Sequence, residues 1–324
     1  MSLPLLGLAA ALVYSAGCVA YVYRWRGQAR YDSFTQYLRK SWPVFAPLNC
    51  LMYLSTKAWA RRPVIAADYL DQVGLLREHW RVLRDEALAL EASGAFEAAK
   101  APGSAGFYDV GFRTFYKRGW SKFYLNWYGT THASARRLCP RSVELLARLP
   151  QVRGAMFSIL PPGAELSLHA DPMACSLRYH LGLDTPGGDA CRLQVDDQTM
   201  VWRDGQDFVF DETYPHRALN DSDRPRLILM CDVDRPMHLP GRLVHALYLR
   251  IARGTVVPNT DEDRRGVFSA LFVRLAPWRE RSLKLRAERR RTYRALKFLL
   301  NSSLLSGLAA AFYGMLLALE AVAA

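Results

Sequence analysis

GAMFSILPPGAELSLHADPMACSLRYHLGLDTPGGDACRLQV, residues 154–195, decides the fold. Short strand-like runs in it end at turn chemistry: GAMFSIL at PPGAE, SLRYHLGL at DTPGGD, and CRLQV at Asp196-Asp197. Proline has no N–H to give a ladder, and glycine reaches turn dihedrals at little cost, so such clusters stop strands. The same punctuation continues through QTMVWR (198–203), Asp204-Gly205, QDFVFDE (206–212) and PRLILMCDV (225–233). At least six strands at close spacing, without long helices between them, predict an antiparallel sandwich or barrel.

Upstream the period changes. In residues 67–100, ADYLDQVGLLREHWRVLRDEALALEASGAFEAAK, the side chains of Leu76, Trp80, Leu83, Ala87 and Leu90 recur at helical spacing. The stretch predicts a helix that APGSAG (101–106) ends. GWSKFYLNWYG (119–129) reads as a strand, and a short helix is predicted over 140–149. Interleaved aromatic and basic residues also suit base stacking. The run is short and carries few charges, so core packing accounts for it better, and no nucleic-acid partner is expected. Helices followed by strands make the chain α+β, with neither internal repeats nor a low-complexity linker.

The two ends differ from the middle. Leu3 to Tyr23 carry no charge, and Arg24, Arg26 and Arg30 follow. About 20 apolar residues in a helix cross a bilayer core. A signal peptide is the alternative, but the run lacks a basic leader and exceeds the usual apolar length. Phe298 to Leu319 is also uncharged, and RSLKLRAERRRTYRALK (281–297) precedes it, with a single acid. A basic helix abutting an apolar span matches contact with anionic lipid. Positive residues flank both runs on the inner side, which predicts a cytoplasmic middle. The segments WPVF (42–45) and LMYL (51–54) are apolar but too short to span.

Composition agrees. The 324 residues are 51% hydrophobic with a formal net charge of +13, enough for one core plus spans and biased towards anionic partners. Six cysteines form no C-x-x-C pair, which reads as reduced thiols rather than a zinc site or disulfide framework. The expected organisation is a transmembrane helix over 1–23, an interfacial segment over 24–65, a catalytic domain over 66–240, basic membrane-proximal helices over 241–297 and a second transmembrane helix over 298–320.

Within the β region, His169-Ala170-Asp171 sets two metal-capable side chains two residues apart, on one face if both lie on a strand. His216 follows in DETYPH (211–216). Two neutral imidazoles and one carboxylate form the facial triad of non-haem Fe(II) oxygenases, with three coordination positions left open. Arg226 lies on the next apolar strand, where burial demands an anionic partner, either a dicarboxylate or an internal acid. Asp211 and Glu212 read as strand-end polar contacts, and His79, His132, His238 and His245 as structural or surface residues.

SLRYHLGL, WRDGQDFVFDETYPH and RLILMCDVDRP, following the HADP motif in that order, resemble the aspartyl/asparaginyl β-hydroxylase family of 2-oxoglutarate dioxygenases. The likeness covers about residues 150–236. Within the family the bacterial lipid A 2-hydroxylases are most similar, and that likeness extends to SWPVFAPLNCLMYL, GFRTFYKRGWSKFYLNWYG and the apolar ends. It implies a double-stranded β-helix (jelly-roll, cupin-like) core, and Fe(II), 2-oxoglutarate and O2 as cofactors. It further implies iron on His169, Asp171 and His216. Ser158 and Arg226 would hold the distal carboxylate of 2-oxoglutarate, with Arg178 and His180 near its C1 carboxylate. The peptide-hydroxylating branch has glycine where this chain has Asp171. The expectation is therefore an integral protein of the bacterial inner membrane with a cytoplasmic catalytic domain. It would hydroxylate the 2-position of a secondary acyl chain of lipid A, an anionic-headgroup substrate of lipopolysaccharide biosynthesis. Peptidyl aspartyl/asparaginyl β-hydroxylation is the alternative.

Overall fold

The computed structural model describes residues 3–70, 73–112 and 119–323. Residues 113–118 of the aromatic block quoted above therefore lie outside the described residues. The chain divides into two compact units: residues 23–272, and residues 3–22 with 273–323.

In the larger unit the strands are β1 (Val64–Ile65), β2 (Ser121–Trp127), β3 (Thr130–Thr131), β4 (Val152–Leu160), β5 (Glu165–His169), β6 (Ser176–Asp184), β7 (Cys191–Val195), β8 (Gln198–Val201), β9 (Asp207–Phe210), β10 (His216–Asn220) and β11 (Arg226–Asp234). They form a major sheet, ordered β1-β9-β6-β11-β4-β2-β3, and a minor sheet, ordered β5-β10-β7-β8. Every strand pairing is antiparallel. From β4 to β11 the chain winds between the two sheets, so this is the expected double-stranded β-helix in an α+β unit.

Eleven helices accompany the strands among the described residues: α1 (Leu3–Arg24), α2 (Phe34–Lys40), α3 (Ala46–Ser55), α4 (Gly74–Glu78), α5 (Trp80–Ala92), α6 (Ala95–Lys100), α7 (Ala133–Leu138), α8 (Pro140–Ala147), α9 (Leu239–Ala252), α10 (Val267–Glu288) and α11 (Arg290–Ala323). The major sheet is buried on both faces, which explains why β4, β6 and β11 read as nearly continuous apolar runs. One face, with Phe157, Tyr179, Leu181 and Leu229, packs against Leu76, Leu83 and Leu90 of α4 and α5 and Leu146 of α8. The other face, with Met156, Leu160, Ile228 and Met230, meets Leu193, Val195 and Ala218 of the minor sheet. Burying each such leucine or phenylalanine contributes about 1.5–3 kcal/mol.

Two expectations are corrected. The predicted helix over 67–100 is a 3-10 turn (Ala67–Tyr69) followed by α4, α5 and α6. Gly94, at φ +74°, turns the chain between α5 and α6 in the left-handed region that glycine tolerates. Strands β5 and β10 were not anticipated, because ELSLH and HRALN are short and half polar and form only by pairing, β5 with β10 and β10 also with β7.

In the smaller unit, α1 and α11 are each long and apolar enough to cross a membrane, over Leu5–Arg24 and Arg290–Met315. Helix α11 begins at Arg290, so the last basic residues of the 281–297 stretch share a helix with the second apolar run.

Candidate metal centre

His169 closes β5 and His216 opens β10, and the two are direct cross-strand partners. Their rings lie 4.2 Å apart, centroid to centroid. Asp171 is not on the strand, as the shared-face argument assumed. It sits two residues past the end of β5, where its N–H donates to the Glu212 carbonyl at 2.8 Å. That bond ties the chain leaving β5 to the loop entering β10. One ligand atom each from His169, Asp171 and His216 lie within 4.8 Å of one another, a spacing that suits one metal ion.

The imidazoles are oriented and neutral. His169 Nδ1 pairs with the Ser167 carbonyl at 2.9 Å, and His216 Nδ1 with the Tyr214 carbonyl at 3.0 Å. A carbonyl only accepts, so each Nδ1 carries the proton and each Nε2 keeps a lone pair for a metal. Burial lowers the pKa of His169, and burial together with His169 pulls His216 down to about 3. Burial pushes the Asp171 carboxyl up, but Arg178 and the two histidines outweigh it and hold it below its ordinary value.

Behind the triad lies an ionic cluster. Arg178 pairs with Asp171 at 3.2 Å, with Asp232 at 2.9 Å, and with Glu212. Tyr128 donates to Asp232 at 3.1 Å. Burial, with Asp171 and Asp232 adding to it against Arg178, raises Glu212 well above the carboxylate range. Arg178, expected near a co-substrate carboxylate, lies against these three protein carboxyls.

Beside the triad, a second group of polar atoms has no partner. Ser158 on β4 and Arg226 on β11 project to the inner face of the major sheet, as does His180 on β6. Ser158 Oγ, Arg226 Nε and Nη2, and His180 Nε2 are buried without a hydrogen bond. No carboxylate pairs with Arg226 among the described residues. Its guanidinium lies 4.4 Å from the Trp202 ring and 5.4 Å from the Trp120 ring, and burial lowers its pKa to about 10. Trp202 Nε1 donates to His180 Nδ1 at 3.3 Å. Orphaned buried donors are costly, and a carboxylate of a small dicarboxylic acid would satisfy those on Arg226 and Ser158.

Other histidines behave as anticipated. His132 bonds the Val257 carbonyl at 2.8 Å, and His245 pairs with Asp234 at 2.8 Å. Sequence reasoning underrated Glu212 and missed Asp232 and Tyr128. Glu212's position four residues before His216 was the available signal. Asp232 and Tyr128 are brought to the site only by strand register.

Residues 77–236 match the family model described as Aspartyl/Asparaginyl beta-hydroxylase. The chain is 34% identical over 134 residues to an ornithine lipid ester-linked acyl 2-hydroxylase of Rhizobium tropici, covering 41% of this chain and 48% of that protein. It is 31% identical over 179 residues to the aspartyl/asparaginyl beta-hydroxylase of Homo sapiens, covering 53% of this chain and 22% of that protein. It is 34% identical over 126 residues to the human aspartate beta-hydroxylase domain-containing protein 2, covering 36% of this chain and 34% of that protein. The matches thus span about half the length of the first relative and 22% and 34% of the other two. It is the domain of residues 77–236, carrying His169, Asp171, His216 and Arg226, that belongs to the aspartyl/asparaginyl beta-hydroxylase family.

Proposed function

We propose that this protein is an Fe(II)- and 2-oxoglutarate-dependent hydroxylase acting on an acyl chain of a membrane lipid, at the 2-position of a secondary acyl chain of lipid A. The observation that carries the reading is the convergence of His169, Asp171 and His216 beside the unsatisfied donors of Arg226 and Ser158. His169, Asp171 and His216 would hold the metal, which would supply the oxidising chemistry with O2 and a chelating co-substrate when bound.

The chain's own residues do the rest. His169 and His216 hold neutral Nε2 atoms towards the metal position. Asp171 neutralises charge there and is itself fixed by Arg178 and Glu212. Arg226 and Ser158 bind the distal carboxylate of 2-oxoglutarate and so set which of its ends faces the metal. The aromatic wall of Trp120 and Trp202 around Arg226 excludes water, which strengthens that pairing. Asp171 stands where the peptide-hydroxylating branch has glycine, and one lipid-hydroxylating relative shares a third of the aligned residues. These favour a lipid over a peptide. The apolar helices α1 and α11 support a membrane setting for this reading, and the basic residues that flank them support the cytoplasmic face of the inner membrane for the larger unit.

Mass spectrometry of lipid A and other acylated lipids from a heterologous host expressing this chain tests the proposal. A gain of one oxygen on an acyl chain is expected, and it should vanish with His169→Ala while the protein stays in the membrane fraction. Unchanged lipids alongside hydroxylated Asp or Asn residues would assign the chain to peptide hydroxylation, which the 31% identity to the human enzyme keeps in view.

A further inference from the structure

Helix α9 shows an outward row that water does not explain. Leu239, Leu243, Leu247 and Ile251 are 66%, 65%, 57% and 51% exposed. Four-residue spacing puts them on one face. The opposite face is satisfied within the unit: Gly241 and His245 are buried, and the Tyr248 hydroxyl pairs with Tyr128 at 3.2 Å. A solvated amphipathic helix carries polar residues on its outer face, and this one carries leucines. The row is also extended by its neighbours. α3 packs against α9 and leaves Leu54 71% exposed, and the start of α10, seated on Gly254, leaves Val267 68% exposed. An exposed apolar row of this kind marks a site of interaction.

Charge and chain connectivity identify the occupant. The α9 sequence LPGRLVHALYLRIA contains no acid, and its exposed Arg242 and Arg250 flank the leucine row. An apolar row with arginines at its shoulders and no acids has the composition of a helix lying in a lipid interface, and its arginines suit anionic headgroups. The chain enters this unit from α1 and leaves it through α10 into α11, so both tethers are helices able to cross a bilayer. A protein partner would need its own acidic, apolar groove, for which nothing in the chain argues.

We propose that the Leu239–Leu243–Leu247–Ile251 face of α9, with the exposed ends of α3 and α10, is a membrane-docking surface. It seats the residue 23–272 unit in the headgroup region of an anionic bilayer. This rests on the membrane reading above and adds a surface to it. It also gives a lipid-processing unit a defined depth, since an acyl chain near the interface need not leave the bilayer entirely to reach the site.

Spin labelling of the full chain in nanodiscs of phosphatidylethanolamine and phosphatidylglycerol tests it. All six native cysteines are buried, so the nitroxide reports on an added thiol. The four single variants are Leu243→Cys and Leu247→Cys on the row, Asp85→Cys as an exposed control and Leu304→Cys in α11. Labels at 243 and 247 should favour relaxation by O2 over a water-soluble nickel chelate severalfold more than the label at 85. The double variant Arg242→Glu, Arg250→Glu should move the 247 label towards the value at 85. A bilayer signature at 304 with row labels matching 85 would overturn the docking surface and leave the membrane reading standing. Aqueous values at 304 as well would overturn both. Dipolar broadening at 243 would show a second copy on this face, and shielding from both reagents would show the chain's own residues there. Either result overturns the proposal.

Discussion

Arg26 and Asp211, 185 positions apart, form a buried ion pair at 2.7 Å. The Arg26 guanidinium also lies 3.8 Å from the ring centroids of both Tyr53 and Tyr214 and donates to the Thr213 carbonyl at 2.8 Å. Arg235 holds the other side of Asp211. The segment directly after α1 is thereby fastened to the loop that delivers Glu212 and His216.

That fastening predicts an effect of Arg26 on a metal it does not touch. Arg26→Ala leaves Asp211 with one cation, Arg235, beside its bonds from the Thr213 N–H and hydroxyl, and removes a plate stacked between two rings. Breaking a buried pair costs about 3–5 kcal/mol when nothing compensates, and Arg235 should limit the loss to the lower end. A supporting residue of this kind alters metal affinity about 10–100-fold. Titration with Co(II) should show such a drop. Arg26→Lys should recover only part of it, because an ammonium can neither stack flat nor donate as a fork. Wild-type affinity in Arg26→Ala would show that the loop holds itself.

The same pair sets a pH dependence. Burial raises the Asp211 carboxyl, but Arg235 and Arg26 more than reverse it, and the group titrates far below its usual value. A depressed folded pKa contributes stability that is fully present above the unfolded value of about 3.9 and is lost as pH falls below it. Asp211→Asn should therefore melt well below wild type at pH 7. The gap should narrow as pH falls from about 5 towards 3. A gap independent of pH would place the loss in packing rather than in charge.

The triad makes a graded prediction. His169→Ala and His216→Ala each remove a nitrogen donor and should abolish Co(II) binding at micromolar metal. Asp171→Gly recreates the residue of the peptide-hydroxylating branch and keeps both imidazoles. It should weaken binding at least about tenfold without abolishing it. Equal, complete loss in all three would show that Asp171 is as necessary to the site as the histidines.

How far the sequence reached follows from what kind of signal each feature leaves. Strands β4, β6 and β11 are buried on both faces, so their apolar runs announce themselves. The histidine pair was legible from the H-x-D motif and the turn residues around it. β5 and β10 were not, because their polarity is that of a loop until β10 pairs with β5 on one side and β7 on the other. Arg26 read as a charge that orients a span, and no local pattern could show that it stacks between Tyr53 and Tyr214. Asp232 sits in a buried strand between Cys231 and Val233. Its meaning appears only when register sets it opposite Arg178.

Arg226 tests the co-substrate assignment without turnover. A buried guanidinium with unsatisfied donors destabilises the empty protein. Arg226→Met, apolar and of similar length, should raise the melting temperature of the protein without ligand. Wild type should gain stability from 2-oxoglutarate by mass action, about 2.7 kcal/mol at a hundredfold excess over Kd, and the variant should gain little. Metal affinity should be equal in the two. A variant that still responds to 2-oxoglutarate would move the distal carboxylate elsewhere.

Gly182 predicts a separable lesion in the same wall. A Cβ there would lie 2.1 Å from the Arg203 carbonyl oxygen and 2.7 Å from its carbon, both backbone atoms that cannot swing aside. The Gly182 N–H donates to Gln206 O at 3.0 Å and its carbonyl accepts from Gly205 at 2.9 Å, so the crossing is pinned from both sides. Gly182→Ala must push the 202–206 segment away from β6. Trp202 moves with it, and Trp202 is what bonds His180 and faces Arg226. Overpacking of this kind costs about 1–3 kcal/mol. The expected outcome is a lower melting temperature and a raised KM for 2-oxoglutarate. Co(II) affinity should stay near wild type, since His169, Asp171 and His216 hang from β5, the residues just after it and the start of β10. A matching loss of metal would mean that the two halves of the site are not mechanically independent.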